Sequence, residues 1–367
     1  MLRSIALAAL VFSSICSSAD VTTSVDCGAG QSLNHTIAKM NKLIPATLRI
    51  KGTCTEYVLV DGFNDLTLNG VQGANIQQPS TNPQSNSYVL SIRASVFSVI
   101  VIGGGSTDVR LQSVTTDGSW GVVVYENSQV WLKNVTTNLT SGFAAVSAFD
   151  KSDVHVVDGL LQRPSNSNFN AGLLVSSGHV TVQGLTIRDM QQSININNSG
   201  SVDLVNFDPA AAGVDVVIDN PSGTNVYGVV VSDGSSLNLG SAKLRISNAG
   251  QAGGGDSGAV FVTNGSTLNA GPNLVVSGSQ VQGVIVSNDS HAQLAGSSIT
   301  GVSHGGLVVV NLSSAAMDLR NPLTVISGNG VDLFCDSKSQ IAGASNVANV
   351  SIVQCNNLLP GNYENLP

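Results

Sequence analysis

The sequence predicts an all-β chain, a right-handed parallel β-helix of about 12 coils preceded by an N-terminal capping helix. Three observations carry that prediction. Between Ser257 and Gly343 the chain reads SGAVFVTNGSTLNAG, QGVIVSNDSHAQLAG, GGLVVVNLSSAAMDL and GVDLFCDSKSQIAG, four versions of strand, polar turn and second strand. The pattern returns about every 24 residues, a period that marks a solenoid. Composition is the third: among 367 residues 39 are Gly, 10% are charged and 4% aromatic, which suits short buried strands joined by tight turns. A solenoid core grows along one axis, so this length does not require two globular domains. Mean hydropathy of +0.22 with periodic apolar residues excludes a disordered chain.

Residues 1–19, MLRSIALAALVFSSICSSA, hold one Arg, an apolar run and a small-residue end, and read as a secretory signal peptide cleaved after Ala19. A lipobox wants Gly or Ala before Cys16, where Ile15 stands. No later run reaches 18 consecutive apolar residues, so no membrane span is expected. Residues 20–46 form the N-terminal cap, 47–343 the β-helix, and 344–367 a C-terminal cap and tail. Once the signal is removed, Cys27, Cys54, Cys335 and Cys355 remain. Two lie near each end, so Cys27–Cys54 and Cys335–Cys355 are the expected disulfides of an exported protein. Their spacing does not suit a zinc knuckle. The net charge of −8 argues against nucleic acid, which demands basic patches.

The cap helix is expected over Ser32 to Leu43, with Leu33, Ile37, Met40 and Ile44 on one stripe and Ser32 as N-cap. His35 stands where a capping box has Glu or Gln. It would cover the open end of the first coil. From Thr47 come about three irregular coils, interrupted by the polar loop PSTNPQSNS from Pro79. From Gly121 the small turn residues Ser128, Ser152, Gly178, Gly200, Ser235, Ser266, Ser290, Ser314 and Ser339 serve as coil origins. Counting from them predicts inward columns such as Val124, Ala148, Leu174 and Val310, or Val122, Gly172 and Val308, or Val130, Val180 and Ala316. Spacings run from 22, Gly178 to Gly200, to 35, Gly200 to Ser235. That variation excludes the left-handed type with its fixed hexapeptide. The two longest gaps carry NFDPAAAGVDVVIDNPSGT and GSAKLRISNAGQAGGG, read as insertions on one face.

From the cap helix to the Cys335–Cys355 end, these residues resemble secreted right-handed parallel β-helix proteins, the pectate-lyase-like superfamily. The resemblance implies an extracellular polysaccharide as partner, acted on by a lyase or hydrolase. The superfamily's known catalytic sets are missing. No acid cluster with a catalytic Arg is found, and Ser303-His304-Gly305 has no paired Asp motif before it. No cofactor is predicted; Ca²⁺ is the one candidate, and no run of acids resembles a cage of 6–8 oxygens. Gly255-Asp256-Ser257-Gly258 matches a serine-protease tetrapeptide by chance, since Ser257 opens a regular coil.

Outward positions supply one constellation. Coil stacking places Asp153 beside His179, and Trp131 below His155, with Asp203 a coil further on. Asp153, His155, His179 and Asp203 are the candidate catalytic residues, because imidazole near carboxylate moves protons. Trp131, together with Tyr125 stacked on Phe149, is the candidate sugar platform. The bland reading is a solvated polar ladder. A second outward column, Val123, Ser147, Leu173, Asn195, Val230, Phe261, Ile285, Val309 and Phe334, ends in an apolar stripe too long to leave wet. The tail Leu358–Tyr363, an insertion loop or another subunit is expected to cover it, and a monomer is favoured. Eight Asn-x-Ser/Thr triplets, at Asn34, Asn134, Asn138, Asn197, Asn264, Asn288, Asn311 and Asn349, fit turn composition. Two function classes stay open: an enzyme acting on a polysaccharide, and a non-catalytic adhesin, matrix or surface-binding protein.

Overall fold

The computed structural model describes residues 21–79, 98–118, 120–139, 143–163, 170–207, 215–220, 226–250, 257–317 and 323–359. The proposed signal peptide, most of the loop after Pro79 and the last residues of the tail lie outside them. The chain is a parallel β-helix. Its 12-stranded parallel sheet contributes one strand per coil, from Val58–Asp61 to Val353–Gln354. A 24-stranded sheet supplies the second and third strands of each coil, joined across the bend by the long strands Ala46–Thr55 and Leu66–Gln77. Each coil therefore has three strands, one more than the repeat pattern suggested. The third strands are short and half polar, as in Leu160–Gln162 and Thr186–Arg188. Two of them, Val216–Asp219 and Leu244–Ser247, lie inside the segments read as insertions.

Register decides which side chains enter the core. Val122, Val146, Leu173, Ile194 and Val229 follow one another inward, as do Val124, Ala148, Val175, Ile196 and Val231. Two coils depart from the expected count. Leu174, not Leu173, pairs with Ser147 and faces out. The turn after it holds one left-handed residue, Ser177, where the preceding coil has two, Asp150 and Lys151. Further on, Ser313 rather than Ser314 is the origin, because His291 pairs with Ser314. Val308 and Val310 therefore lie outside the core and Val309 is buried in it, while Ala315 takes the inward place given to Ala316.

A column of small residues opens the strands of the 12-stranded sheet, among them Gly121, Ala145, Gly172, Ser193 and Gly228. Here consecutive coils approach too closely for larger side chains. A Cβ on Gly121 would lie 2.2 Å from the carbonyl oxygen of Ala145, and one on Gly283 would lie 2.4 Å from that of Gly306. In the turns, Asn264, Asn288 and Asn311 adopt left-handed backbone and bond through their amides. Asn264 donates to Asp233 at 2.9 Å and Asn311 to Asn288 at 3.2 Å. The Ser that completes each of these three glycosylation triplets belongs to a second, buried serine ladder. These triplets are turn chemistry.

At the N-terminal end the helix spans only Leu33–Ala38, with Leu33 and Ile37 buried. It stops short of Leu43 because the Asn41 side chain accepts the Leu43 N–H at 3.0 Å and starts a turn. Ser32 is the N-cap, accepting from His35 N. Glu56, from the next strand pair, supplies the carboxylate that the capping box lacks, accepting from the N–H groups of Leu33 and Asn34. The Asn34 amide donates to Tyr57 O and accepts from Leu59 N, pairing with the first strand of the 12-stranded sheet as a neighbouring strand would. Cys27–Cys54 lies beside this region and Cys335–Cys355 at the opposite end.

At the C-terminal end Leu358–Leu359 pairs with Ile341–Ala342 in the 24-stranded sheet. These tail residues extend the solenoid and do not cover the outward apolar stripe, whose members are Val230, Phe261, Ile285, Val308 and Phe334. Val230 and Ile285 are 8% and 7% exposed, and Phe261 stacks on Tyr227 at 5.4 Å, so the stripe partly covers itself. Asp332 ends the small-residue column as a fully buried acid. Its carboxylate accepts from Ser351 N at 2.7 Å, Ser351 Oγ at 2.9 Å, Ile352 N at 3.1 Å and the Asn329 amide at 3.0 Å. Burial favours the neutral acid, but these donors outweigh it and hold the pKa below the ordinary carboxylate value.

The sign of that shift sets a test. Stability contributed by Asp332 is complete above the unfolded value of about 3.9, and is lost as pH falls through the lower folded value. Asp332→Ala leaves several donors unpaired and is expected to destabilise the last coil by on the order of 3 kcal/mol at pH 7. Hydrogen exchange at Ser351 and Ile352 reads this directly; unchanged protection in the variant contradicts it.

Candidate functional site

Four stacked strands carry the candidate site: Gln129–Lys133, Asp153–Val157, His179–Gln183 and Ser201–Leu204. Alternation buries Val130, Val154, Val180 and Val202, so their neighbours face out. Register then aligns Gln129, Asp153, His179 and Ser201 in one column. Arg110, Trp131, His155, Thr181, Asp203 and Asn238 align in the next.

The two histidines differ. His155 stacks on Trp131 with ring centroids 4.0 Å apart and planes 23° from parallel. Its Nε2 lies 3.2 Å from Asp153 Oδ2, while Nδ1 is buried with no partner, as is Asp153 Oδ1. Burial lowers the His155 pKa and His179 adds to that; Asp153 opposes the shift only in part. At neutral pH His155 is uncharged, with the proton on the nitrogen facing Asp153. His179 is satisfied on both nitrogens, by Ser201 Oγ at 2.8 Å and Thr181 Oγ1 at 3.1 Å. Asp203 stands 3.7 Å from its Nε2 and accepts from the Asn238 amide at 2.7 Å. Asp153 and His155 thus form a close pair with unmet hydrogen-bonding capacity, and His179 with Asp203 a looser, better-satisfied one.

Phe207 joins this group from the segment read as an insertion. It is 46% exposed, its N–H donates to Gln183 Oε1 at 2.6 Å, and its ring lies 5.9 Å from Trp131 and 6.2 Å from His155. Trp131, Phe207, Arg110, Lys133, Asp158 and Gln183 border a cleft of about 470 Å³. Arg110 is held by Asp65 at 2.5 Å and Asp108 at 3.3 Å. The signal for Phe207 was the insertion's position alone, since its ring follows no column.

Tyr125 and Phe149 stand elsewhere. They pack with Val101 and Val123 on the face of the 12-stranded sheet, across the turn from Trp131. Tyr125 lies over Gly103, where a Cβ would come within 2.3 Å of its ring. Burial, then Glu126 and Asp61, raise its pKa. The three aromatics therefore do not make one platform. Among the described residues the only grouping of three or more His, Cys, Asp or Glu atoms at metal-binding distances is Cys27, Cys54 and Glu56, and its two sulfurs form a disulfide. No described helix is long and apolar enough to cross a membrane.

No protein-family model matches the chain, and no curated protein matches it. Among solved structures, a double mutant of the periplasmic alginate epimerase AlgG is similar over 90% of this chain and 83% of its own, at 13% identity and a TM-score of 0.29. The fold rests on the strand pairing above, and none of the epimerase's chemistry is transferred on that likeness.

His155 gives the site a pH signature. Its folded pKa is depressed, so the stability it contributes is complete above about 6.5 and is lost as pH falls through the folded value. A proton-detected titration is expected to place His155 below an exposed histidine, and Asp153→Asn to lower it further, because the attraction of the carboxylate is removed. A His155 pKa at or above the exposed value contradicts this arrangement.

Proposed function

We propose that this chain is an exported β-helix that binds a polysaccharide along the face carrying Trp131 and His155. The observation that supports the reading best is the cleft beside the Trp131–His155 stack, with Phe207 at its edge. Sugar rings present C–H faces that pack on aromatic rings, and their hydroxyls need hydrogen-bonding partners. The column continuing from His155 passes the buried Thr181 and then offers such partners: Asp203, Asn238, Asn269 and Gln293 follow one another in register, about 4.8 Å apart. A chain-like ligand matches a row of this kind better than a compact one does. Two disulfides favour an oxidising, extracellular or periplasmic location.

Turnover is a second reading, and one observation favours it: the neutral His155 beside Asp153, with Nδ1 unpartnered. That pair has the composition of a general base for a sugar hydroxyl or C–H acid, with His179 and Asp203 on the strands that follow. A non-catalytic adhesin or matrix protein uses the same face without it.

A panel of neutral and acidic polysaccharides, tested for binding and for new unsaturated products and reducing ends, separates these readings. Binding to one glycan class is expected, weakened about five- to tenfold by Trp131→Ala or Phe207→Ala, since losing one stacking ring removes on the order of 1–1.5 kcal/mol. If products form, His155→Ala is expected to abolish them while binding persists. Binding that ignores both aromatic substitutions, or no binding at all, overturns the proposal.

A further inference from the structure

The eight Asn-x-Ser/Thr triplets differ in what their side chains already do. Such a triplet is the acceptor pattern for N-linked glycosylation, which bonds a sugar to the carboxamide nitrogen and requires a hydroxyl two residues further on. In six of them that nitrogen already donates a hydrogen bond. Asn34 donates to Tyr57 O, Asn138 to Asp117 at 2.7 Å and Asn197 to Asn195 at 3.1 Å. Asn264 donates to Asp233, Asn288 to Thr263 and Asn311 to Asn288, at 2.9, 3.1 and 3.2 Å. Hydroxyls are engaged as well. Thr36 Oγ1 donates to Ser32 O, and Ser266, Ser290 and Ser313 are all buried.

Asn134 is different. It follows strand Gln129–Lys133, in the turn before Thr136–Leu139. Its backbone is left-handed, with a φ of 51°, a conformation that Asn adopts more readily than most residues. Its N–H donates to Val157 O at 2.9 Å, so the neighbouring coil fixes the backbone. The side chain is exposed, and its carboxamide bonds no described residue. Thr136 supplies the hydroxyl. It lies between the buried Val135 and Thr137 and faces out, and its Oγ1 bonds no described residue either. Asn349 is also exposed, but its triplet ends in Ser351, whose Oγ and N–H both donate to the buried Asp332. Among the triplets whose residues are all described, Asn134 alone offers both groups unengaged.

We propose that Asn134 is an N-glycosylation site of the exported, folded chain. The donor is an oligosaccharide carried on a polyprenyl diphosphate. A bond forms between Asn134 Nδ2 and the anomeric carbon of the first sugar. The bond from that carbon to the diphosphate oxygen breaks, the carrier diphosphate leaves, and one amide proton is released. No oxidation or reduction takes place. Two disulfides favour the oxidising, exported location in which such a transfer occurs. On Asn134 the sugar replaces a hydrogen that bonds no described residue. On Asn34, or along Asn264, Asn288 and Asn311, it would crowd a contact between neighbouring coils. Lys133 and Val157 border the cleft beside Trp131, so this glycan is attached at its rim. The site stands whether or not the chain binds polysaccharide.

Expression of the full chain through a secretory pathway that N-glycosylates, followed by glycopeptide mass spectrometry of the secreted protein, tests the site. Asn134 is expected to carry a glycan in most molecules, and Asn34, Asn264, Asn288 and Asn311 to be bare. Asn134→Gln is expected to be secreted with an unchanged circular dichroism spectrum and to lose that glycan. An unmodified Asn134 in the secreted chain overturns the proposal, as does modification of the coil-bridging asparagines as complete as that of Asn134. If the chain's own leader does not direct export, a leader from the host replaces residues 1–19 and the same mapping decides, which separates a failure of export from a failure of the site. If Asn134→Gln fails to fold, the map of the unaltered chain decides the matter.

Discussion

Backbone hydrogen bonding between successive coils is the constraint on which this molecule depends. Each coil lies about 4.8 Å from the next, and parallel pairing fixes every residue above its counterpart. Side chains therefore act in columns. An inward valine packs on the valine of the neighbouring coil, and an outward histidine meets the residue directly above it. The same constraint makes the small-residue column obligatory where Gly121 and Gly283 face the carbonyl oxygens of the next coil. It also leaves unpaired edges at the ends. Asn34 meets one such edge with its amide, and Asp332 gathers the final segment with its carboxylate.

The candidate site follows from the same geometry. No loop is needed to bring Trp131, His155 and Asp153 together, since consecutive strands place them. Their chemistry is set by how each coil satisfies its neighbours. Hydroxyls above and beside His179 occupy both its nitrogens, whereas His155 is pressed against an indole and meets a carboxylate on one side only. Two histidines one coil apart thereby acquire different surroundings. A rigid column also fixes the spacing of the outward groups at the spacing of the coils.

Much of this was legible in the sequence. The period, the inward valines and both disulfides follow from spacing and from the ends at which cysteines fall. The Trp131–His155 neighbourhood follows from counting between Ser128 and Ser152. Counting failed where the physical signal was ambiguous. Ser313 and Ser314 fit the turn equally well as residues, and Leu173 and Leu174 are both apolar, so only the turn's length distinguishes inward from outward. Third strands such as Val216–Asp219 escaped notice because they are only three or four residues long and fall where the spacing between coil origins varies. Phe207, the edge of the cleft, belongs to no column at all. Tyr125 and Phe149 do form a column, but on a different face from Trp131. The helix ended early because Asn41 acts locally, through a contact that an apolar stripe does not report.

Register is therefore the central claim, and one measurement addresses it most directly. Ring protons of Trp131 and His155, selectively labelled, are expected to show a strong nuclear Overhauser contact, with none between Trp131 and His179. A direct Trp131–His179 contact, or no contact between Trp131 and His155, would mean that the coils are out of step and would contradict the account.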